Sequence, residues 1–186
     1  MTFNEKGLIR AMKSAYKEEG YSVAGFDNGY VITGEMWGVS IPEKAVPNTV
    51  KSLIVLHAGK LPEAGKAINV QKSEIKSMIY EMAVERIQTL TSMYWDGKRG
   101  EICPTRLTMD GYRIWQQPDT LAVKLIDPAN QQILDFTDQD AYLVGNTIYG
   151  LTVCGSVFVA CEVAAPEDKP MLSHLAQMQW IPVELE

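Results

Sequence analysis

The sequence predicts an α+β fold in which an antiparallel sheet of hairpins is combined with an N-terminal helix, one long central helix and a short C-terminal helix. Apolar residues recur at helical spacing in three stretches, and short β-rich runs elsewhere are separated by turn dipeptides. No repeat of roughly 20 to 50 residues divides the chain. We therefore predict one domain over residues 1–186, with a possible subdivision near 96–101 between a helix-rich first half and a β-rich second half.

The first forty residues predict a helix followed by three antiparallel strands. Thr2 and Glu5 have the spacing of a capping box, and the apolar residues after them recur on one helical face. Asn28 and Gly29 separate two β-rich runs, and this dipeptide favours a hairpin with a type I′ turn. A third strand is expected to end at Pro42, because proline cannot donate a hydrogen bond to the ladder.

The middle of the chain holds an ambiguous segment and a strongly periodic one. Residues 47–58 fit either a helix or a buried strand, and we favour the helix. Residues 67–70 form a run short enough for a strand. Residues 73–94 carry an apolar stripe at helical spacing, which predicts the long central helix.

The second half changes character and reads as short strands joined by tight turns. Asp110-Gly111 and Gly145-Asn146 are turn dipeptides between β-rich runs, so antiparallel hairpins are expected on both sides of them. Residues 168–178 predict the short C-terminal helix, with an aspartate as its cap and a proline in its first turn.

The charge distribution argues against nucleic acid as a partner. The net charge is −6, but residues 1–100 carry 13 basic and 11 acidic side chains, whereas residues 101–186 carry 4 and 12. The halves are therefore +2 and −8. A field like that of the second half repels phosphate backbones.

Neither a membrane span nor secretion is predicted. Residues 141–161 contain no charged side chain, but they include three glycines and several hydroxyl and amide side chains, so two buried strands explain them better than a membrane helix. The N-terminus lacks the apolar core of a signal peptide. Cys103, Cys154 and Cys161 are an odd number without a CxxC pair, which fits a reducing compartment. We expect a cytoplasmic protein.

No metal or cofactor is predicted. The chain has two histidines and no HxH or HExxH pattern, so a histidine-rich metal site is excluded. Residues 59–67 resemble a P-loop in outline, but five residues separate Gly59 from Gly65 and Ala67 stands where a magnesium-binding Ser or Thr is required. A turn between two elements is the better interpretation of this segment.

Another hypothesis is an enzyme in which a cysteine acts together with a histidine, but the sequence assigns no catalytic residue. Cys103 lies near Arg99 and Arg106 in the sequence, which would favour its thiolate, whereas the other two cysteines lie in an apolar run typical of a core. His174 falls on the apolar side of its predicted helix, and a partly buried structural histidine is expected there. His57 closes an apolar run and suits a helix end.

The candidate binding surface combines aromatic and basic side chains near the end of the predicted central helix. Aromatic and arginine side chains are frequent anchors of binding sites. The competing interpretation is that the aromatic pair completes the helix's buried stripe while the basic residues complement its C-terminal dipole. A further tryptophan beside two glycines is either core or an exposed anchor. The candidate residues are Tyr94, Trp95, Lys98, Arg99, Arg106 and Trp37.

The order of a helix, three antiparallel strands and a later long helix is similar to that of small dimeric secretion-chaperone-like domains, over at most the first hundred residues. This resemblance implies a non-enzymatic binder. We therefore expect a binding or assembly protein that acts through its surface, as a homodimer or with a protein partner. The alternatives are a small hydrolase or transferase that uses Cys103, and a protein whose C-terminal hairpins enclose a small apolar ligand.

Overall fold

A computed structural model describes residues 4–78, 85, 100–127, 132–133, 141–151, 158–163 and 169–180. Its helices and antiparallel strands confirm the α+β class. The helices are α1 (Glu5–Lys17), α2 (Asn48–Ala58) and α3 (Lys169–Leu175), with a 3-10 turn at Glu43–Ala45. The strands are β1 (Tyr21–Phe26), β2 (Gly29–Thr33), β3 (Trp37–Pro42), β4 (Ala67–Gln71), β5 (Glu74–Met78), β6 (Gly100–Glu101), β7 (Cys103–Met109), β8 (Tyr112–Gln116), β9 (Val123–Ile126), β10 (Ala141–Val144), β11 (Thr147–Leu151) and β12 (Phe158–Glu162).

The described strands form two antiparallel sheets. The larger has nine strands in the order β5-β4-β1-β2-β3-β12-β11-β10-β6, and the smaller has three in the order β7-β8-β9. Strand pairing crosses between the halves of the chain at β3 and β12, where Val39 lies opposite Val159. The nine-stranded sheet thus contains strands from both the helix-rich and the β-rich part of the sequence.

The hairpin of β1 and β2 is confirmed, but the type I′ turn predicted for it is wrong. Phe26 pairs with Gly29 across a two-residue loop, and neither Asp27 nor Asn28 takes the positive φ that a type I′ turn requires. Gly29 has a different physical reason to be glycine. A Cβ at this position would lie 2.2 Å from the carbonyl oxygen of Ile41, so only glycine lets β3 approach so closely.

The predicted central helix is wrong over its first residues. Residues 74–78 form β5, which pairs antiparallel with β4 through a two-residue turn at Lys72 and Ser73. Ile75, counted in the helical stripe, lies opposite Val70 instead, because a few spaced apolar residues fit a paired strand as readily as a helix. Glu85 is helical, and the rest of the predicted helix lies outside the described residues.

The other three helix predictions are confirmed with shifted ends, and the C-terminal helix predicted over 168–178 is α3. Helix α1 is capped by Asn4, whose Oδ1 accepts a hydrogen bond from the backbone N–H of Gly7 at 3.1 Å, and Thr2 lies outside the described residues. The segment 47–58, which fitted two structures, contains α2 from Asn48, and Gly59 follows the helix with φ 79° as a left-handed C-terminal cap.

Helices α1 and α2 pack on one face of the large sheet. Both helices contribute fully buried side chains to a cluster shared with the central strands; this cluster includes Leu8, Met12, Val50, Ile54, Val23, Ile32 and Val39. The hydroxyl of Thr49 donates a hydrogen bond to the carboxylate of Glu5, which joins the first turns of the two helices. The side of the sheet toward these helices therefore carries the large apolar residues.

The small sheet carries helix α3 on one face. Asp110 and Gly111, with φ 51° and 85°, form a two-residue turn with the positive φ values of type I′, as the sequence predicts for a hairpin here. Apolar side chains of this sheet pack against α3 and the residue after it, and the contacts involve Ile114, Val123, Leu125, Leu172, Leu175 and Ala176.

A single buried amide fixes the chain after α3 to this sheet. Gln116 is fully buried, and its Nε2 donates hydrogen bonds to the carbonyl oxygens of Leu121 at 3.0 Å and Met178 at 2.8 Å. Its Oε1 accepts a hydrogen bond from the backbone N–H of Trp180 at 2.8 Å. Three backbone groups from two segments thus depend on one side chain for a hydrogen-bond partner.

We predict that Gln116→Leu lowers the free energy of unfolding by about 3 kcal/mol, because apolar replacement deprives three partly buried backbone groups of their partner. Urea unfolding followed by circular dichroism measures the change. Gln177→Leu is the matched control, since Gln177 is exposed and the same substitution there should change stability by less than about 0.5 kcal/mol. Equal losses in the two variants would contradict the role given to Gln116.

Candidate functional site

Of the residues predicted to form the aromatic and basic surface near the end of the central helix, the structure describes one. Arg106 lies in β7, and its side chain is exposed to solvent. Tyr94, Trp95, Lys98 and Arg99 lie outside the described residues, so their grouping with Arg106 stays a prediction.

Trp37 is a core residue rather than an exposed anchor. It begins β3, and only 5% of its surface is accessible. A Cβ at Gly34 would lie 2.4 Å from the indole Nε1, so the glycine leaves the space into which the indole fits. Of the two roles that the sequence allows for Trp37, the structure thus favours packing.

The segment that resembles a P-loop is a connection that pairs with β1. The backbone N–H of Gly65 donates to the carbonyl oxygen of Gly25 at 2.9 Å, and the N–H of Gly25 donates to Lys66 at 3.0 Å. Ala64 also forms a parallel bridge with Gly25. Because Gly65 directs its amide at the protein's own strand, this loop is not arranged to surround a phosphate.

The structure places Cys103 and His174 in surroundings that differ from those predicted. Cys103 begins β7, and its thiol lies 3.9 Å from Glu101 Oε1, a carboxylate that disfavours a nearby thiolate. His174 was expected to be partly buried, and this is wrong: it is exposed, because Leu172 and Leu175 are the α3 residues that face the small sheet. Cys154 lies outside the described residues.

His57 belongs to a cluster that the sequence did not predict. Its imidazole stacks on the ring of Tyr16, with centroids 3.8 Å apart and planes 6° from parallel. Its Nδ1 lies 3.0 Å from the hydroxyl of Tyr21. The three residues come from α2, α1 and β1, so the cluster holds both helices to the sheet.

The surroundings disfavour the charged forms of His57 and Tyr21. Burial, and secondarily the charge of Lys13, lowers the pKa of His57. Burial, with a further contribution from Tyr16, raises the pKa of Tyr21 well above its usual value. A neutral imidazole can accept a hydrogen bond at Nδ1 from the O–H of the phenol, which fits the observed contact. Tyr21 is only 1% exposed, so its hydroxyl is enclosed, whereas His57 is partly exposed.

A small cleft lies between the end of α1 and the turn that leads into β3. Its volume is about 170 Å³, and the described residues that line it include the acidic Glu18, Glu19, Glu35 and Asp127. Ligand pockets for drug-sized molecules have volumes of roughly 300 to 1,000 Å³, so this cleft is below that range. Its charge would suit a single positive group.

The described residues offer no site for a metal ion. No group of three or more His, Cys, Asp or Glu side chains within the described ranges is placed to hold one. The same part of the chain contains no helix that is both long and apolar enough to cross a membrane.

Among the described strands, one edge of the large sheet has no neighbouring strand and is long enough to pair. Strand β5 ends the sheet, and the side chains from Glu74 to Ser77 are all exposed, with Ile75 52% accessible. Lys76 forms an ion pair with Glu74 at 2.7 Å on this strand. The opposite edge, β6, has only two residues. An exposed edge presents backbone donors and acceptors to another strand.

No protein-family model matches the sequence, and comparison with curated proteins gives no match. Among solved structures, the chain aligns with an outer membrane lipoprotein-sorting protein domain from Vibrio parahaemolyticus, over 94% of this chain and 100% of that one. The identity is 12% and the TM-score is 0.14. A TM-score of this size carries no argument about fold or function.

We predict that His57 makes the protein less stable in acid. Its pKa in the folded state is lowered, so below the unfolded-state value of about 6.5 the unfolded chain binds the proton more readily. The stability from neutral His57 is therefore full above that pH and falls as the pH drops toward the folded pKa. Unfolding free energies measured between about pH 5 and pH 8 test this.

Two phenylalanine variants separate His57 from the other histidine. His57→Phe keeps an aromatic ring for the stack but cannot titrate, so the part of the pH dependence due to His57 should disappear. His174→Phe changes an exposed histidine and should leave the pH dependence of stability as in the wild type. A pH dependence that disappears in His174→Phe but persists in His57→Phe would refute the role given to the His57 cluster.

Proposed function

We propose that the protein is a non-enzymatic binding or assembly protein of the cytoplasm that acts through its surface as a homo-oligomer. The observation that carries this proposal is the exposed edge strand β5, which displays Ile75 to solvent. Addition of a strand to an exposed sheet edge is a common mode of protein recognition, because main-chain hydrogen bonds supply affinity and alternate side chains supply specificity.

The alternative of a cysteine-dependent enzyme has less support. A nucleophilic cysteine needs an adjacent base or positive charge, whereas the contact described for the Cys103 thiol is with the carboxylate of Glu101. His57 is engaged with two tyrosines of the core, and His174 is exposed on α3. The acidic cleft is also small for a substrate site.

The charge distribution supports self-association as the form of binding. Acidic residues line the cleft beside α1, and Arg106, the described member of the predicted basic surface, is exposed. Surfaces of opposite sign on the same chain allow one copy to meet another, and such contacts are weakened by salt.

We predict reversible self-association that becomes weaker as salt rises. Sedimentation velocity at several concentrations and two ionic strengths should show an oligomer whose fraction grows with concentration. Arg106→Glu should weaken the association by about tenfold at low salt. Lys60→Glu is the matched control, because Lys60 is also exposed and undergoes the same charge reversal.

A monomer at every concentration and ionic strength would overturn the proposed function. Equal weakening by Arg106→Glu and Lys60→Glu would remove Arg106 from the interface, because only general charge would then matter.

A further inference from the structure

We propose that the partner of strand β5 is β5 of a second copy, paired antiparallel about a two-fold axis at Ile75. This inference rests on the proposed function and specifies the surface through which the copies join. It extends the large sheet continuously from one subunit into the other. Three properties of β5 support it: the direction of its backbone groups, the pattern of its charges and the exposure of its central apolar residue.

The backbone of β5 is ready to pair on its outer side. Gln71 and Glu74 close a two-residue loop, and such a closing pair exchanges backbone hydrogen bonds. Bonded and non-bonded pairs alternate along an antiparallel ladder, so Lys76 also bonds to β4, whereas Ile75 and Ser77 direct their N–H and C=O groups outward. No described strand lies on that side of β5.

These outward groups limit how two copies of the strand can meet. In an antiparallel pair, residues with outward backbone groups must lie opposite one another. Three registers satisfy this rule: Ile75 opposite Ile75, Ile75 opposite Ser77, and Ser77 opposite Ser77. The registers differ in what lies opposite Lys76.

The charges of β5 favour the first register. With Ile75 opposite Ile75, Glu74 of each copy lies opposite Lys76 of the other, which gives two pairs of opposite charge. These are non-hydrogen-bonded positions, where opposing Cα atoms are roughly 4.5 Å apart and side chains are closest. The second register places Lys76 opposite Lys76, which is repulsive. The third gives Lys76 no opposite charge.

The apolar side of the strand agrees with this register. Ile75 lies opposite fully buried Val70 within its own sheet, so it is on the face that carries α1 and α2. Glu74 and Lys76 are on the other face, where their ion pair of 2.7 Å shows that they reach each other. Pairing at the two-fold axis would bring the two Ile75 side chains together and cover surface that is now 52% accessible.

Four variants test this interface by sedimentation velocity, with circular dichroism to check the fold. Ile75→Pro should give a monomer with an intact sheet, because the N–H that proline lacks is directed away from β4. Lys76→Glu and Glu74→Lys should each weaken the dimer by about tenfold or more, because like charges then face each other. The double variant with both substitutions should restore the dimer to within about threefold of wild type. Lys60→Glu serves again as the control.

The outcomes separate this inference from the proposed function. A dimer weakened by each single charge variant and restored by the double variant would support the pairing, even if Ile75→Pro failed to fold. Self-association that none of the β5 variants changes, but that Arg106→Glu weakens, would overturn the β5 pairing and leave the proposed function. A monomeric wild type would overturn both. Single variants that weaken the dimer without rescue by the double variant would overturn the register.

Discussion

Strands β3 and β12 pair over Trp37–Ser40 and Phe158–Cys161, and the nine-stranded sheet depends on this one ladder. On one side of it lie strands from the first half of the chain, and on the other side lie strands from the second half. More than a hundred residues separate the paired strands, so the loop-closure entropy must be offset by their side chains. Val39 and Val159, both essentially buried, supply that contact at the centre.

The same ladder determines which strands become edges. With β3 and β12 joined in the middle, the sheet stays open and must end in β5 and β6. A two-residue strand such as β6 offers little backbone to another chain, whereas β5 offers a full strand. The capacity for strand addition at one end of the molecule is therefore a consequence of the pairing at its centre.

Local signals in the sequence predicted the local structures well. Asp110 and Gly111 form the expected turn with two positive φ values, and β1 and β2 form the expected hairpin. The turn type predicted from Asn28-Gly29 is wrong because glycine is required at position 29 for a tertiary reason, the close approach of β3. Ile75 was assigned to a helix because nothing in the spacing of a few apolar residues distinguishes a helix from a strand that pairs with a neighbour.

The candidate sites were harder to predict, because they are made by residues from separate elements. Tyr16, Tyr21 and His57 meet only after two helices have packed on β1, and no spacing in the sequence relates them. Gln116 and Trp180 are joined in the same way across 64 residues. Both strand faces of β1 are also buried, since Ser22 and Ala24 are covered as well as Val23, which removes the alternation that identifies a solvent-exposed face.

The charges on β5 can oppose pairing with unrelated strands and still favour pairing with one particular strand. Charged side chains on edge strands normally prevent indiscriminate pairing, since a neutral or apolar strand leaves them without partners while they lose hydration. Glu74 and Lys76 have this effect on most strands that could approach. They are two residues apart and of opposite sign, however, so a strand with the same pattern running antiparallel satisfies both. A second copy of β5 is such a strand, and the feature that discourages other partners is the one that accepts it.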